Sequence, residues 1–423
     1  MLGAVESGDI LDLDITGVAH GGVFVARHPD GGSGPGRVVF VPDAIPGERV
    51  RVRLTDVGKA SFWRAEAVEV RDASPHRRPH VWRQADISVA PSERPGGADF
   101  GHIALGHQRE LKREVMRDAL QRIGRLDLPT TIEGPLPVQD QDGSVSAEES
   151  ADGTRWRTRI SLHVDADGAV GPFAARSHRV IPVADHPLAT EAIERAALRA
   201  SGGSPGRIDL VQPADGHVRA IARPEASRPG RGGRRTAAPA DPRTALDVVE
   251  ERVGARRFRV DAGGFWQVHR LAAWTLTRAV TDALHAALPE GLDPEAQHLD
   301  LYGGVGLLAA AVADLGGPAT RIVSVESDPR ATEHAGENLA EWVGARAETS
   351  RVDRYLRTLH ETASAGERAR LSRGAIVLDP PRSGAGGDVV EAIAGIAPAA
   401  VVYVACDPRR PGPRPGHLLR ARL

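Results

Sequence analysis

Cys406 is the only cysteine in the 423-residue sequence, and the segment VVYVACDP places it at the end of an apolar run. Asp379 closes a second apolar run, in AIVLDPP, and Glu326 closes a third, in RIVSVESD. A thiolate is a nucleophile, and a carboxylate accepts hydrogen bonds from hydroxyl groups. Because parallel strands of an open α/β sheet bind ligands at their carboxyl ends, we expect these three side chains to share one edge.

A glycine-rich turn follows a further apolar run in the segment HLDLYGGVGLLAAAVAD. Gly303, Gly304 and Gly306 let the backbone turn tightly and approach a ligand. Glu326 lies 20 residues after Gly306, where its carboxylate can accept hydrogen bonds from both hydroxyls of a ribose. The same glycines satisfy the dinucleotide pattern G-x-G-x-x-G/A, so the spacing fits a nicotinamide dehydrogenase as well as another adenosine-type cofactor.

The elements that must position these residues begin near residue 264, where short apolar runs alternate with helical stretches. This alternation predicts a doubly wound parallel sheet. Residues 1–74 instead carry five short alternating strands separated by Gly, Pro and Asp turns, which predicts a small closed barrel of the OB type. Such barrels often bind single-stranded nucleic acid on one open face.

Residues 75–263 connect the two predicted domains. Apolar residues recur at helical spacing over residues 111–123, and Gly124 is placed to end that helix. Strand patterns broken by polar loops then predict a central α+β domain. The Pro-, Gly- and Arg-rich stretch near 223–243 is expected to form a disordered surface loop.

The composition limits the classes of protein to which the chain can belong. The formal net charge is −2, so any nucleic-acid surface must be local. A single cysteine excludes an internal disulfide framework, a cysteine-rich zinc site and a protein-held iron–sulfur cluster, and we predict no metal site. The N-terminus lacks a secretory pattern, and no apolar run approaches the roughly 18 residues of a membrane helix. We therefore expect a cytoplasmic monomer without membrane contact.

Several ordered motifs carry a resemblance to a known family. DLYGGVG, DPPR and YVACDP resemble, in this order, the motifs of S-adenosylmethionine-dependent RNA uracil-5-methyltransferases. GFWQVH at residues 264–269 is similar to that family's F-x-Q-x-N element, with His269 in place of the asparagine. Residues 1–74 resemble the TRAM domain of many members, and SHRVIPVADHPL resembles a central-domain segment, with His186 where a cysteine is common. The resemblance implies a Rossmann-like class I methyltransferase domain over residues 264–423.

The resemblance also implies roles for individual residues. Cys406 matches the nucleophile, whose addition to carbon 6 of uracil makes carbon 5 reactive enough to take a methyl group. Asp353 is expected near the adenine of the cofactor. The substrate would be RNA, and the TRAM-like barrel favours ribosomal RNA over transfer RNA. The residues that would contact S-adenosylmethionine are Gln267, Tyr302, Glu326 and Asp379.

Two departures from the family pattern bear on activity. Some members hold an iron–sulfur cluster with four cysteines, and the matching stretch here, GGADFGHIAL, has none. After Cys406 the family continues with two strands and a glutamate that resembles the required base, whereas residues 409–423 are rich in arginine and proline. We therefore expect a truncated or frame-shifted end and an enzyme that stalls as a covalent RNA adduct. An NAD-dependent oxidoreductase and a catalytically impaired RNA-binding remnant remain as alternatives.

Overall fold

The computed structural model describes residues 5–29, 36–139, 144–225 and 242–407. Its first five strands close into a barrel, which confirms the OB-type barrel predicted from the alternating pattern. Leu13 and Ile15 point into the barrel between outward-facing aspartates, as a period of two requires. The five strands are β1 (Ile10–Ala19), β2 (Val23–His28), β3 (Arg37–Val41), β4 (Arg49–Asp56) and β5 (Phe62–Asp72). They follow one another around the barrel in the order β1-β2-β3-β5-β4.

An irregular connector with two short 3-10 turns leads from the barrel to helix α1 (Leu105–Ala119). The helix passes into one turn of π-helix at Leu120–Gly124, and Arg125 follows in the left-handed conformation. A short hairpin, β6 (Val138–Gln139) and β7 (Val145–Ala147), leads to a four-stranded sheet with the order β11-β10-β8-β9 and one covering helix. These elements are β8 (Arg159–Val164), β9 (Val170–Gly171), α2 (Glu191–Arg199), β10 (Gly206–Val211) and β11 (Arg219–Pro224).

The loop predicted near 223–243 begins later than the sequence indicated. Arg223 and Pro224 belong to strand β11, in which Arg223 lies opposite Arg207 of β10. The Arg223 guanidinium donates a hydrogen bond to the Asp209 carboxylate, so cross-strand pairing extends the strand into a polar stretch. Residues 226–241 of the predicted loop lie outside the described residues, and its last two residues, 242 and 243, belong to a short helix, Pro242–Ala245.

The C-terminal part is a five-stranded parallel sheet covered by helices on both faces, which confirms the predicted doubly wound fold. The strand order is β16-β15-β14-β17-β18. The strands are β14 (His298–Leu301), β15 (Ile322–Glu326), β16 (Ala345–Thr349), β17 (Ala375–Leu378) and β18 (Ala400–Tyr403). The helices are α4 (Ala272–Ala287), α5 (Leu307–Gly316), α6 (Pro329–Asn338), α7 (Val352–Thr362), α8 (Ala365–Ser372) and α9 (Gly387–Ile396).

One hairpin attaches to the parallel sheet although its sequence lies within the predicted central domain. After helix α3 (Pro242–Ala245), strands β12 (Val248–Val253) and β13 (Arg256–Asp261) pair antiparallel. Phe258 and Val260 of β13 pack in the same buried cluster as residues of α5. The buried cluster of the parallel sheet therefore includes a hairpin that precedes residue 264 in the sequence. In the described part of the chain, no helix is long and apolar enough to cross a membrane.

The turn after β14 depends on a glycine at position 303. A Cβ there would lie 2.0 Å from the Ser324 Oγ and 2.6 Å from the Asp300 Oδ2, both of which are buried. The Ser324 hydroxyl donates to that same Asp300 oxygen at 3.0 Å, so two neighbouring strands are joined directly beneath the turn. Only a residue without a side chain allows the backbone to pass this close.

We expect Gly303→Ala to destabilise the protein by about 1–3 kcal/mol, because the methyl group must displace a buried hydrogen bond. Thermal unfolding followed by circular dichroism measures the loss as a lower midpoint temperature. Gly336→Ala is the matched control, since Gly336 lies in α6 and a Cβ there meets no atom within 4 Å. The control should be neutral or more stable, and an unchanged midpoint for Gly303→Ala would contradict the close approach.

Candidate active site

Three carboxylates gather at the carboxyl edge of the parallel sheet. Asp300 lies in β14 and is 1% exposed, Glu326 ends β15, and Asp379 directly follows β17. Burial, together with the neighbouring charges of Asp379 and Glu326, raises the pKa of the Asp300 carboxyl to about 7. The Asp300 Oδ1 is buried and has no hydrogen-bond partner among the described residues. This concentration of acidic groups around an unpaired acceptor favours a ligand with positive charge or hydrogen-bond donors.

The Glu326 carboxylate links two loops of this edge. Its Oε2 accepts a hydrogen bond from the Gly304 backbone N–H at 3.1 Å, and its Oε1 accepts one from the Asp328 N–H at 2.9 Å. Gly304 has φ +54°, and a Cβ at this position would point into open space. The glycine turn therefore presents bare backbone to the crevice beside a fixed carboxylate.

Tyr302 occupies a backbone conformation that most residues avoid. Its φ of 63° lies in the left-handed region, which is uncommon for a residue other than glycine and is found preferentially at functional sites. The Tyr302 hydroxyl donates to the Ala385 carbonyl at 3.3 Å and so joins the loops after β14 and β17. Burial raises the pKa of Tyr302, and the charges of Tyr403 and Asp353 add to the rise.

Asp379 is half-buried at the start of the loop that contains Pro380 and Arg382. Its backbone N–H donates to the Leu301 carbonyl at 3.2 Å, which continues the sheet pairing by one residue. Burial raises the pKa of the Asp379 carboxyl. Pro380 is buried, whereas Arg382 is exposed, so the guanidinium is free to meet a ligand from the solvent side.

Gln267 lies on a separate loop between β13 and α4, and the structure gives it no contact with the three carboxylates. The loop is held by the central domain, because the Thr158 N–H and hydroxyl both donate to the Val268 carbonyl, at 2.9 and 3.0 Å. His269, which replaces the expected asparagine, stacks on Trp156 with ring centroids 5.3 Å apart. The sequence motif thus identified the residues of this loop. It did not identify the segment that holds the loop in place, which is the stretch of chain that enters β8.

A buried ion pair supports the other end of this loop. The Arg159 guanidinium donates to the Gly264 carbonyl at 2.7 Å and to the Glu251 carboxylate at 3.2 Å. Glu251 is 7% exposed, and burial raises the pKa of its carboxyl to about 7 although Arg159 opposes the rise. Glu251 lies on β12 and Arg159 on β8, so the pair joins the central sheet to the hairpin beside the Gln267 loop.

Cys406 lies three residues beyond the end of β18, not within the strand as the sequence indicated, and it is exposed. Tyr403, the last residue of β18, connects it to the carboxylate edge. Burial raises the pKa of Tyr403, and the charges of Cys406 and Asp379 both add to the rise. The charges of the thiol and of the Asp379 carboxyl therefore both act on the Tyr403 hydroxyl.

A cavity of about 1450 Å³ opens beside Cys406. Parts of the barrel, the connector, α1, the central domain and the parallel sheet all contribute to its wall, which includes residues 19–22, 97–101, 397–401 and 405–407. Its lining contains Cys406 and Tyr403, whereas Tyr302, Glu326 and Asp379 are not part of it. The Cys406 side chain thus lies on the wall of this cavity.

The central-domain segment SHRVIPVADHPL places His186 in a buried contact with an aromatic ring. His186, at the position where a cysteine is common, is 8% exposed and lies against Trp82 with ring centroids 5.8 Å apart. Burial lowers the pKa of His186. The described ranges contain no group of three or more His, Cys, Asp or Glu side chains that could hold a metal ion.

Comparison with known proteins assigns the chain to a family. Residues 4–68 match the TRAM domain. A Streptomyces avermitilis protein named as an RNA methyltransferase is 35% identical over 425 residues, which cover 95% of this chain and 89% of that protein. A Streptomyces coelicolor protein with the same description is also 35% identical, over 95% of this chain and 84% of its own length.

Among solved structures, the tRNA (uracil-54, C5)-methyltransferase of Pyrococcus abyssi, in complex with S-adenosyl-L-homocysteine, shares the fold. The TM-score is 0.59 at 18% identity, over 94% of this chain and 90% of that chain. A TRAM barrel joined to a doubly wound sheet with its loops at one edge defines a class I methyltransferase with an N-terminal TRAM domain. With the sequence identity above, the chain belongs to the RNA methyltransferase family. The class predicted from the motifs is confirmed, and the dehydrogenase alternative is not supported.

The pair Glu251–Arg159 predicts a pH dependence of stability. The folded protein keeps the Glu251 proton up to about pH 7, whereas the unfolded chain releases it near its ordinary value of 4.5. The stability that this proton contributes is therefore lost as the pH rises from 4.5 to 7, by on the order of 3 kcal/mol.

We expect the midpoint of thermal unfolding of the wild type to fall relative to Glu251→Gln between pH 5 and pH 8, because glutamine does not titrate. Glu250→Gln, on the more exposed face of the same strand, controls for the loss of one carboxylate. Parallel pH profiles for the wild type and Glu251→Gln would contradict the raised pKa.

Proposed function

We propose that the protein transfers a methyl group from S-adenosylmethionine to carbon 5 of a uridine in RNA, with Cys406 as the nucleophile. The observation that carries this proposal is the position of the thiol. It lies at the same edge of the sheet as Glu326 and Asp379, on the wall of a chamber of about 1450 Å³. Such a volume has room for an unstacked nucleotide, which a duplex or stacked strand must release before chemistry at carbon 5.

The cofactor is S-adenosylmethionine, as predicted from the motifs, and the residues at the carboxylate edge fit it. Gly304 leaves open space in which a nucleoside can approach the backbone, and Glu326 can accept hydrogen bonds from ribose hydroxyls. The unpaired Asp300 Oδ1 and the raised pKa of Asp379 suit a ligand that carries positive charge. When bound, this cofactor supplies a methyl group that is electrophilic because it is attached to a sulfonium. We assign Tyr302 and Gln267 to the same site.

The proposed mechanism begins with the Cys406 thiolate. Carbon 5 of uracil is a weak nucleophile, and addition of the thiolate to carbon 6 converts the ring to an enolate whose carbon 5 is nucleophilic. After carbon 5 is methylated, a base removes its proton, the carbon 5–carbon 6 double bond re-forms and the thiolate leaves. To Asp379 and Arg382, in the loop after β17, we assign the roles of holding the uracil edge and stabilising the developing enolate charge.

The barrel offers a surface for the RNA strand. On its outer face, the rings of Phe40 and Phe62 lie with centroids 5.4 Å apart. The Lys59 ammonium and the Arg64 guanidinium lie over the Phe62 ring at 4.9 and 5.6 Å. Aromatic rings with cations above them suit stacked bases and their phosphates. By contrast, Arg51 and Arg53 on β4 are paired with acidic side chains, so the arginine-rich strand is not the favoured contact.

The TRAM barrel is the reason for predicting ribosomal RNA as the substrate. The structurally similar Pyrococcus abyssi enzyme, by contrast, is named for a transfer RNA. The two are separated by incubating the protein with S-adenosylmethionine and ribosomal or transfer RNA transcripts. Denaturing electrophoresis then detects a covalent adduct, and mass spectrometry of the nuclease digest detects released 5-methyluridine. A cytoplasmic location and a monomeric state also remain predictions.

We expect Glu326→Ala to weaken S-adenosylmethionine binding by about 1.5–3 kcal/mol, the range for hydrogen bonds to a charged group. Isothermal calorimetry measures the change as a roughly 10- to 150-fold higher dissociation constant. Glu326→Gln, which keeps one acceptor oxygen, should lose less. Glu333→Ala removes an exposed carboxylate from the neighbouring helix and serves as the control. Equal affinities for Glu326→Ala and the wild type would remove Glu326 from the cofactor site.

Cys406 can be tested with RNA that carries 5-fluorouridine. Fluorine at carbon 5 cannot leave as a proton does, so a methylated adduct persists on the enzyme. We expect a protein–RNA band that survives denaturing electrophoresis and requires S-adenosylmethionine, because without methylation the thiolate can leave again. Since the sequence has one cysteine, Cys406→Ser should abolish the band completely. Formation of 5-methyluridine by Cys406→Ser would refute the covalent mechanism.

A further inference from the structure

The turn between β1 and β2 of the barrel reaches the loop that carries Cys406. The His20 Nε2 lies 3.3 Å from the Asp407 Oδ1, and Asp407 directly follows Cys406. The Asp407 side chain is 14% exposed and the His20 side chain 35%, so the pair is partly shielded from water. The contact joins two segments from opposite ends of the sequence, and both line the chamber beside the thiol.

The barrel side of this contact is firmly supported. Residues flanking the turn are paired in the β1–β2 ladder, with Ala19 opposite Val23. Gly21 and Gly22 close the turn with φ of +88° and +74°. A Cβ at Gly22 would lie 3.0 Å from the Asp99 Cβ, so the turn packs closely against the connector. The turn is thus held from two sides and presents His20 in a defined place.

The Cys406 loop has less support of its own. The Val404 N–H donates to the Leu378 carbonyl at 2.9 Å, which extends the pairing of β18 by one residue. Among the described residues, neither Ala405 nor Cys406 forms a backbone–backbone hydrogen bond. Because an exposed loop without such bonds samples many conformations, an anchor next to the thiol restricts where its sulfur can point.

We propose that His20 is a positioning residue for the nucleophile, which it serves by holding Asp407 and with it the loop of Cys406. The catalytic meaning of the anchor rests on the proposed function. The anchor itself rests only on the contact and is testable without substrate.

Consequently, the barrel does more than bind RNA in this arrangement. Through His20, the domain that we assign to the RNA strand also fixes the loop that must meet the target base. A displacement of about 1 Å at a reacting group can reduce a rate by about a hundredfold. One barrel residue outside the RNA-binding face therefore controls the geometry of attack.

A nitroxide spin label on Cys406 reports on the loop directly, because the sequence contains no other thiol. We expect the electron paramagnetic resonance lines to be broad in the otherwise unchanged protein and to narrow in His20→Ala, as the loop gains mobility. His20→Gln keeps a donor of similar reach and should restore the broad lines. His217→Ala is the matched control, because His217 lies 3.8 Å from Asp215 but is 84% exposed and remote from the chamber lining.

Comparison with Asp407→Ala and with the double variant His20→Ala/Asp407→Ala distinguishes loss of this contact from a general folding defect. If the contact is the cause, His20→Ala narrows the lines in the otherwise unchanged protein and causes no further narrowing in Asp407→Ala, because the interaction between His20 and Asp407 is then already absent. Additive narrowing in the double variant, or unchanged lines in His20→Ala with a wild-type melting curve, would overturn the anchor.

The catalytic consequence is measured with unlabelled protein and 5-fluorouridine RNA. At saturating RNA and S-adenosylmethionine, His20→Ala should form the covalent adduct about 10- to 100-fold more slowly, with unchanged dissociation constants for both ligands. A wild-type adduct rate in His20→Ala would overturn the positioning role. If the label responds as expected but the wild type forms no adduct at all, the proposed function fails while the anchor stands.

Discussion

The close approach of the chain at Gly303 is the constraint on which the carboxylate edge depends. The backbone passes over the hydrogen bond between Ser324 and Asp300, with no room for a side chain. This passage turns the chain after β14 so that Tyr302 takes a positive φ and Gly304 meets the Glu326 carboxylate. Because Gly303 has no side chain, strands β14 and β15 can be joined beneath the turn. The same close approach sets the start of α5 and the position of Glu326. The site assigned to this edge therefore depends on a position at which any side chain would collide with Ser324 and Asp300.

The two halves of the proposed site are built in different ways. Around the cofactor crevice, the side chains sit on or next to strand ends, and backbone hydrogen bonds within the sheet determine their positions. The thiol instead lies beyond the last strand, and its surroundings come from the barrel, the connector and α1 as well as from the sheet. Tyr403 lies between the halves, where the charges of Cys406 and Asp379 both act on its hydroxyl. The methyl donor would therefore contact residues at the strand ends of one sheet. The target base would contact a wall to which several separate segments of the chain contribute.

Short apolar runs with glycine, proline or acidic ends were sufficient to predict β14, β15, β17 and β18 and the residues that follow them. Strand β16 escaped prediction because ARAET is polar and largely exposed; pairing with β15 at the edge of the sheet makes it a strand. The hairpin of β12 and β13 carried an ordinary alternating pattern, which says nothing about which domain it will cover. Likewise, Arg159 and Glu251 are polar residues far apart in sequence, and only the folded chain brings them together beside the Gln267 loop. Local pattern predicted the elements and their ends, whereas contacts between distant segments determine where the β12–β13 hairpin packs and what supports the site.

The presence of a single cysteine in the sequence affects how the protein recovers from oxidation. A cysteine that is exposed and suited to attack an electrophile is also the group that peroxides oxidise first, to a sulfenic acid. Many proteins protect such a residue by condensing it with a second cysteine of the same chain, but this sequence contains no other. An oxidised Cys406 therefore depends on small thiols or on a separate reductase for recovery, and the opening proposed for the nucleotide also determines whether these reductants can reach the sulfur.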